Sequence, residues 1–178
     1  MAHGIASAAP PHYGEAMQLY ALALGSNRRH HRHGGPAGVL AAATEALAAH
    51  GVRVIARSRI RATPALGPAG RGFANAALLV ETPLDPPALL AVLKRIERDF
   101  GRRPGRRWGP RVLDIDIALW SGGRWPQRGR AAPGRLSVPH AALAERSFVL
   151  DPLSDLFPQR FGGMHPRALR HRLSGLLN

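Results

Sequence analysis

Residues 86–120 read "PPALLAVLKRIERDFGRRPGRRWGPRVLDIDIALW". In Pro86 to Phe100, the residues Leu89, Leu90, Leu93, Ile96 and Phe100 recur at the three- and four-residue spacing of one helix face. Asp85 just before them is a residue type that caps helix N-termini. Arg111 to Trp120 is short, rich in branched apolar residues and alternating, which predicts a strand. The basic, Gly-containing stretch 101–110 is a loop between them. A similar unit lies upstream. "QLYALAL", Gln18 to Leu24, predicts a buried strand that stops at the turn signal Gly25-Ser26-Asn27. After a polar, Gly-rich loop, Pro36 to His50 predicts a helix with Val39, Leu40, Ala43 and Leu47 on its apolar side and Gly51 as its stop. Val52 to Ile60 predicts a second strand, "ATPALGPAGRG" a Pro/Gly loop, and Phe73 to Thr82 a third strand. The order βαββαβ predicts an α+β, ferredoxin-like sandwich with an antiparallel sheet. C-terminal elements are added to it: a loop over 121–135 and a helical region in "HAALAERSFVLDPLSDL". Residues 1–16 are expected to be a loose tail, and 17–178 a single domain.

The chain has 178 residues, with 25 Lys plus Arg against 11 Asp plus Glu, a formal charge of +14. That balance favours anionic partners such as nucleic acid, a membrane surface or phosphorylated small molecules. Cysteine is absent, which removes disulfides and thiolate metal sites and fits a cytoplasmic location. No apolar run approaches the ~20 residues of a membrane span, and the first residues lack the pattern of a signal peptide.

Asp114 and Asp116 are the anomaly in the last strand. By alternation, Leu113, Ile115, Ile117 and Leu119 share the face that packs under the helices, while Asp114 and Asp116 share the other with Val112 and Ala118. Two residues along a strand separates their Cα atoms by roughly 6.6 Å, so both carboxylates can address one point above the sheet. A divalent cation would relieve their repulsion, and Mg²⁺ commonly takes one or two carboxylates and completes its shell with water and phosphates. A solvated acidic face or a glycosidase-like acid/base pair would show the same spacing. The surroundings favour the metal. Between Lys94 and Arg111 stand eight basic and two acidic residues, a field suited to a polyphosphate and unnecessary for a neutral sugar.

The strings "RWGPRVLDIDIALW" and "SVPHAALAERSFVLDPL", with "ALALGSN", "ATPALGP", "FANAALLVET" and "RIERDFGR" in order before them, resemble the 6-hydroxymethyl-7,8-dihydropterin pyrophosphokinases of folate biosynthesis. The resemblance covers roughly residues 18–160. It implies a ferredoxin-like fold and transfer of the β,γ-pyrophosphoryl group of ATP to the pterin hydroxymethyl oxygen, releasing AMP. By position it implies that Asp114 and Asp116 hold Mg²⁺, usually two ions with ATP, and that Arg102 and Arg111 meet the triphosphate and assist transfer. It places Lys94, Arg107, Ile117, His140 and Arg146 with Arg111 around ATP. Thr63, Leu66, Phe73, Asn75, Trp108 and Phe148 fall around the pterin. The partners implied are ATP and hydroxymethyldihydropterin, for a cytoplasmic monomer with no membrane or nucleic-acid partner. Lys94 stands where Gln is frequent, Phe73 where Tyr is frequent, and the basic loop is one residue shorter than in familiar members.

Two other readings stay open from sequence. One is a paralogue acting on another pterin. The other is an RNA-binding module, since "RGFANAAL" begins like an RNA-recognition signature, but Asn75 and Leu78 stand where further stacking aromatics are needed. His30, His31 and His33 are read as solvated loop histidines, and Glu97 as an acid pairing with an Arg close to the site.

Overall fold

A computed structural model describes residues 17–63, 72–102, 111–129, 131–132, 134–140, 143 and 147–157. The elements run β1 (Gln18–Ser26), α1 (Pro36–Ala49), β2 (Arg53–Arg57), β3 (Arg61–Thr63), β4 (Phe73–Thr82), α2 (Pro86–Asp99), β5 (Asp114–Trp120) and α3 (Ser147–Leu156). The sheet order is β2-β4-β1-β5, with β3 also pairing β4, and each of these pairings is antiparallel. This is the expected α+β topology: each helix carries the chain over one intervening strand.

The helices form where local signals put them. The Asp85 carboxylate accepts the Ala88 N–H at 2.8 Å, closing the N-terminus of α2. Gly51 and Gly101 take positive φ just past α1 and α2, where a left-handed residue ends a helix. The apolar faces of α1 (Val39, Leu40, Ala43, Leu47) and α2 (Leu89, Leu93, Ile96) bury against one sheet face. Leu22, Leu24, Leu78, Val80, Leu113, Ile115 and Ile117 complete that core.

Three details depart from the sequence expectation. The stretch read as a strand to Ile60 ends as one at Arg57, and a separate short strand follows it. Pairing with β4 stops after Arg57 and resumes at Arg61↔Asn75, so β3 lies partly in the stretch read as a loop. Ser58 bridges the break: its N–H donates to the Ala77 carbonyl at 2.9 Å and its Oγ accepts the Ala77 N–H at 2.8 Å. The second departure is on β5. Its register with β1 shifts between Ala21↔Leu119 and Leu22↔Ile117, which leaves Ala118 as the extra residue of a β-bulge. Alternation changes phase there. Leu119 packs on the far face and Trp120 on the helix side, the reverse of simple period-two counting. Third, Val112 precedes the strand and packs against the helix-side core rather than beside the acids.

The far face is covered in part by α3. Leu150 and Leu153 of α3, with Leu143, bury against Ala21, Ala77 and Ala118, one alanine from each of the three strands β1, β4 and β5. Small side chains let the helix approach closely. Asp155 on α3 accepts from Arg61 Nη2 at 2.7 Å and from the Arg59 N–H at 3.3 Å, fastening the helix to β3. Among the described residues no helix is long and apolar enough to cross a membrane.

Candidate active site

α3 leaves the rest of that face open, and Asn75, Asp114 and Asp116 lie along it. The floor is the central strand. Ala21 is buried under α3, while Ala23 and Gly25 are half-open. Register sets the walls: Gly25 lies between Asn75 of β4 and Asp114 of β5, and Ala23 between Ala77 and Asp116. With about 4.8 Å between neighbouring strands, the two walls stand about 9.6 Å apart. The result is a trough with an amide on one side and two carboxylates on the other.

On the amide side, Asn75 is only 4% exposed and its Nδ2 donates to Thr63 Oγ1 at 2.8 Å. Phe73 pairs with Thr63 at the mouth of β3 and β4 and is half-buried. Phe148, half-buried, stands near the start of α3, the helix that contacts β1, β3 and β4 over this face. Thr63, Phe73 and Asn75 are thus brought together as expected.

On the carboxylate side, Asp114 accepts from Arg102 Nη1 at 2.7 Å and from Arg111 Nη1. Arg102 also donates to Glu97. Glu97 is fully buried and accepts from Lys94 Nζ at 2.6 Å and from the Ile115 N–H at 2.8 Å. Lys94, Glu97, Arg102, Asp114 and Arg111 therefore form one chain of charge-assisted bonds from α2 to β5. Burial pushes the Glu97 carboxyl up, against the pull of Lys94 and Arg102. Burial acts the same way on Asp114, but Arg111, Arg102 and Lys94 together outweigh it and hold that carboxyl below its ordinary value. The Arg102 guanidinium is raised, because Glu97 and Asp114 overcome its own desolvation.

Asp116 follows two residues on, with its Oδ2 3.9 Å from His140 Nε2. His140 is placed by its main chain, whose N–H donates to the Ala118 carbonyl at 3.2 Å, so the bulge that shifts Ala118 also sets the histidine. Asp116, His140, Ala23, Ala118, Leu143 and Val149 line a small depression.

Two candidates need qualification. Ile117 is 2% exposed with its side chain in the helix-side core, so any nucleotide contact from it must come from its main chain. Lys94 is bound to Glu97 and, at 3.4 Å, to the Ile115 carbonyl; it acts on Asp114 through its charge. Leu66, Arg107, Trp108 and Arg146 lie outside the described residues.

Two supports go beyond the sequence expectation: the burial of Glu97, expected only to pair with an Arg near the site, and the part played by Asn27. The burial of Glu97 was signalled by its place four residues after Leu93, itself four after Leu89, on the buried side of α2. Asn27, read only as a turn residue, accepts the Arg111 N–H on its Oδ1 at 2.8 Å, and its own N–H donates to the Arg111 carbonyl at 3.1 Å. It thereby fixes the entry of β5.

Two hard carboxylate donors on one half-open strand face fit Mg²⁺. No group of three or more His, Asp or Glu among the described residues could hold a metal alone. The remaining ligands would have to be phosphate oxygens and water. As an RNA platform the face fits poorly: Leu78 is buried on the helix side and Asn75 is tied to Thr63, so neither offers a ring for stacking.

Comparison with known proteins identifies the family. A family model described as 7,8-dihydro-6-hydroxymethylpterin-pyrophosphokinase (HPPK) matches residues 21–158. The 2-amino-4-hydroxy-6-hydroxymethyldihydropteridine pyrophosphokinase of Methylorubrum extorquens is 43% identical over 139 residues, 77% of this chain and 81% of that one. The Pseudomonas aeruginosa protein of the same name is 41% identical over 107 residues, 60% of this chain and 62% of its own. A solved Plasmodium falciparum HPPK-DHPS structure superimposes with a TM-score of 0.58 at 15% identity, covering 90% of this chain and 46% of that one, a likeness of fold. The chain belongs to the 7,8-dihydro-6-hydroxymethylpterin-pyrophosphokinase family.

Proposed function

We propose that the trough binds ATP along β5 and 6-hydroxymethyl-7,8-dihydropterin along β3 and β4, and that transfer takes place over the central strand. The protein is an ATP-dependent diphosphokinase of folate synthesis, as its family is. The pterin hydroxyl gives up its proton to solvent as its oxygen bonds to the β-phosphorus, the bond from that phosphorus to the α,β-bridging oxygen breaks, and AMP leaves with that oxygen. The observation that carries this reading is the row Asn75–Gly25–Asp114, an amide suited to a heterocycle and a carboxylate suited to metal and phosphate, two strands apart.

Each wall has its task. Asn75 offers an amide edge to the pterin, with Thr63 orienting it, and Phe73, Leu66, Phe148 and Trp108 supply apolar and stacking contacts. Bound by Asp114 and Asp116, Mg²⁺, two ions by the family resemblance, would neutralise charge across the triphosphate. Arg102 and Arg111 are poised on Asp114 and can turn to phosphate oxygens as the triphosphate arrives. His140, Arg146, Arg107 and Lys94 add positive charge around the nucleotide. Catalysis then comes from positioning and charge compensation more than from covalent chemistry. The same reading makes residues 17–178 one catalytic domain, working as a cytoplasmic monomer.

The test is incubation with MgATP and the pterin, followed by nucleotide analysis. AMP should appear in step with a pterin diphosphate. Stoichiometric ADP with a pterin monophosphate would refute the reaction. Running other 6-substituted dihydropterins beside it distinguishes a paralogue.

A further inference from the structure

We infer that Gly25 is a specificity-determining residue: its missing side chain keeps open the lane between Asn75 and Asp114 through which the substrate's 6-substituent reaches the phosphates. The inference rests on the function proposed above and names what selects the acceptor.

Glycine is costly in a strand interior, by roughly 0.5–1 kcal/mol relative to alanine, and often marks a place where something approaches the backbone closely. Gly25 sits in the middle of the sheet with partners on both sides. It is not among the glycines with positive φ, so its backbone does not demand glycine. The space above it is the remaining reason. A Cβ at this position would meet Asn75 Oδ1 at 3.3 Å and, among the described residues, no other atom within 4 Å. The Asn75 amide cannot swing aside freely, because Nδ2 is held by Thr63. A methyl group would therefore press on the heterocycle anchor and stand in the lane at once.

The floor is also graded. Ala21 lies under α3, Ala23 borders Asp116, and Gly25 is the lowest point, at the row shared by Asn75 and Asp114. A planar heterocycle held at Asn75 and a phosphate held near Asp114 leave about one strand spacing on either side of Gly25. The substituent that crosses is short, a single carbon bearing a hydroxyl. The depth at Gly25 thus decides how bulky that carbon can be, and a branched, secondary alcohol is the first to be excluded when the floor rises.

Gly25→Ala tests this, with the wild-type enzyme, Asn75→Ala and the double variant beside it. Each protein is measured for melting temperature, for calorimetric affinity toward a non-hydrolysable ATP analogue with Mg²⁺, and for kcat and KM with hydroxymethyldihydropterin and its 6-(1-hydroxyethyl) analogue. Gly25→Ala should stay folded and bind the nucleotide analogue within about twofold of wild type. Its kcat/KM for the hydroxymethyl substrate should fall by about tenfold or more, the scale of one methylene in a fitted pocket, and further for the branched one. If glycine only accommodates the Asn75 amide, Gly25→Ala will have no effect in the Asn75→Ala background; a continued loss there supports the lane. Wild type forming AMP while Gly25→Ala turns over both pterins equally well overturns the inference alone. Wild type forming no AMP overturns the functional reading and the inference with it.

Discussion

Glu97 is the sharpest place to perturb the site without touching substrate. Its carboxylate is fully buried and serves Lys94, Arg102 and the Ile115 N–H together. Glu97→Gln keeps the shape and one acceptor oxygen, which can still serve Ile115. The other oxygen becomes an NH₂ facing the Arg102 guanidinium, donor against donor. The loss is one charge-assisted bond, in the range of about 1.5–3 kcal/mol, and Arg102 is 29% exposed, so the middle of that range, about 2 kcal/mol, applies. For a domain of this size about 2 kcal/mol lowers Tm by about 4–8 °C. Glu97→Leu also strands the Ile115 N–H and leaves two cations uncompensated, and should lose about 3–5 kcal/mol. Thermal melts of the ligand-free protein read both. The catalytic consequence is separable. Without Glu97, one side of Arg102 is unheld, so kcat should fall while KM for the pterin stays near wild type, because no pterin contact is changed. A Glu97→Leu variant as stable as wild type would refute the buried hub. A Glu97→Gln variant with normal kcat would show that Arg102 needs no positioning from α2.

Asp114→Asn and Asp116→Asn should each lose most turnover, yet differ in stability: Asp114→Asn gives up charge-assisted bonds to Arg102 and Arg111 and should melt lower, and equal melting points would refute that difference. Repulsion between the two acids, the expectation from sequence, would instead make Asp114→Asn the more stable protein. Acid provides an independent check on Asp114. Its folded pKa is depressed below the ordinary 3.8, so its contribution is present above that value and is lost as pH falls through the folded one. The gap in urea midpoint between wild type and Asp114→Asn should therefore be full at about pH 6 and close on acidification below the ordinary 3.8; a gap constant with pH would refute the pairing.

What the sequence shows and hides follows from the range of the interactions. Asp85 as cap, the stripe on α2 and the stop at Gly51 are settled within a few residues, and the structure places them where the pattern does. The bulge at Ala118 is not local. It is a register relation between β5 and β1, two segments about a hundred residues apart, and period-two counting along β5 alone assigns Leu119 and Trp120 to the wrong faces. β3 was hidden by its three-residue length and by the Pro and Gly that follow it. Asp114 and Asp116 stood out because acids in an apolar strand need a reason. Asn27 did not, since a Gly-Ser-Asn turn is already explained by the turn itself, and its bond to Arg111 joins residues 84 positions apart.

The same distinction explains why so basic a chain builds its site around acids, one of them buried. A triphosphate needs cations, but free arginines are long and disordered, and fixing each one on binding would cost about 0.5–1.5 kcal/mol. Here the ordering is done in advance. Arg102 is held between Glu97 and Asp114, Arg111 is pinned by Asp114 through its side chain and by Asn27 through its main chain, and Lys94 is held by Glu97. The carboxylates act as placeholders for phosphate oxygens. On the proposed function Asp114 is the one that changes role, from counter-ion of two arginines to metal ligand. It stands at 23% side-chain exposure on the open face, where a nucleotide can take over its arginines. Glu97, sealed in the core, keeps its hold on Arg102 and Lys94 throughout. A site assembled this way keeps most of its geometry before substrate arrives, so that binding energy goes into aligning the two reactants across Gly25 rather than into collecting the side chains around them.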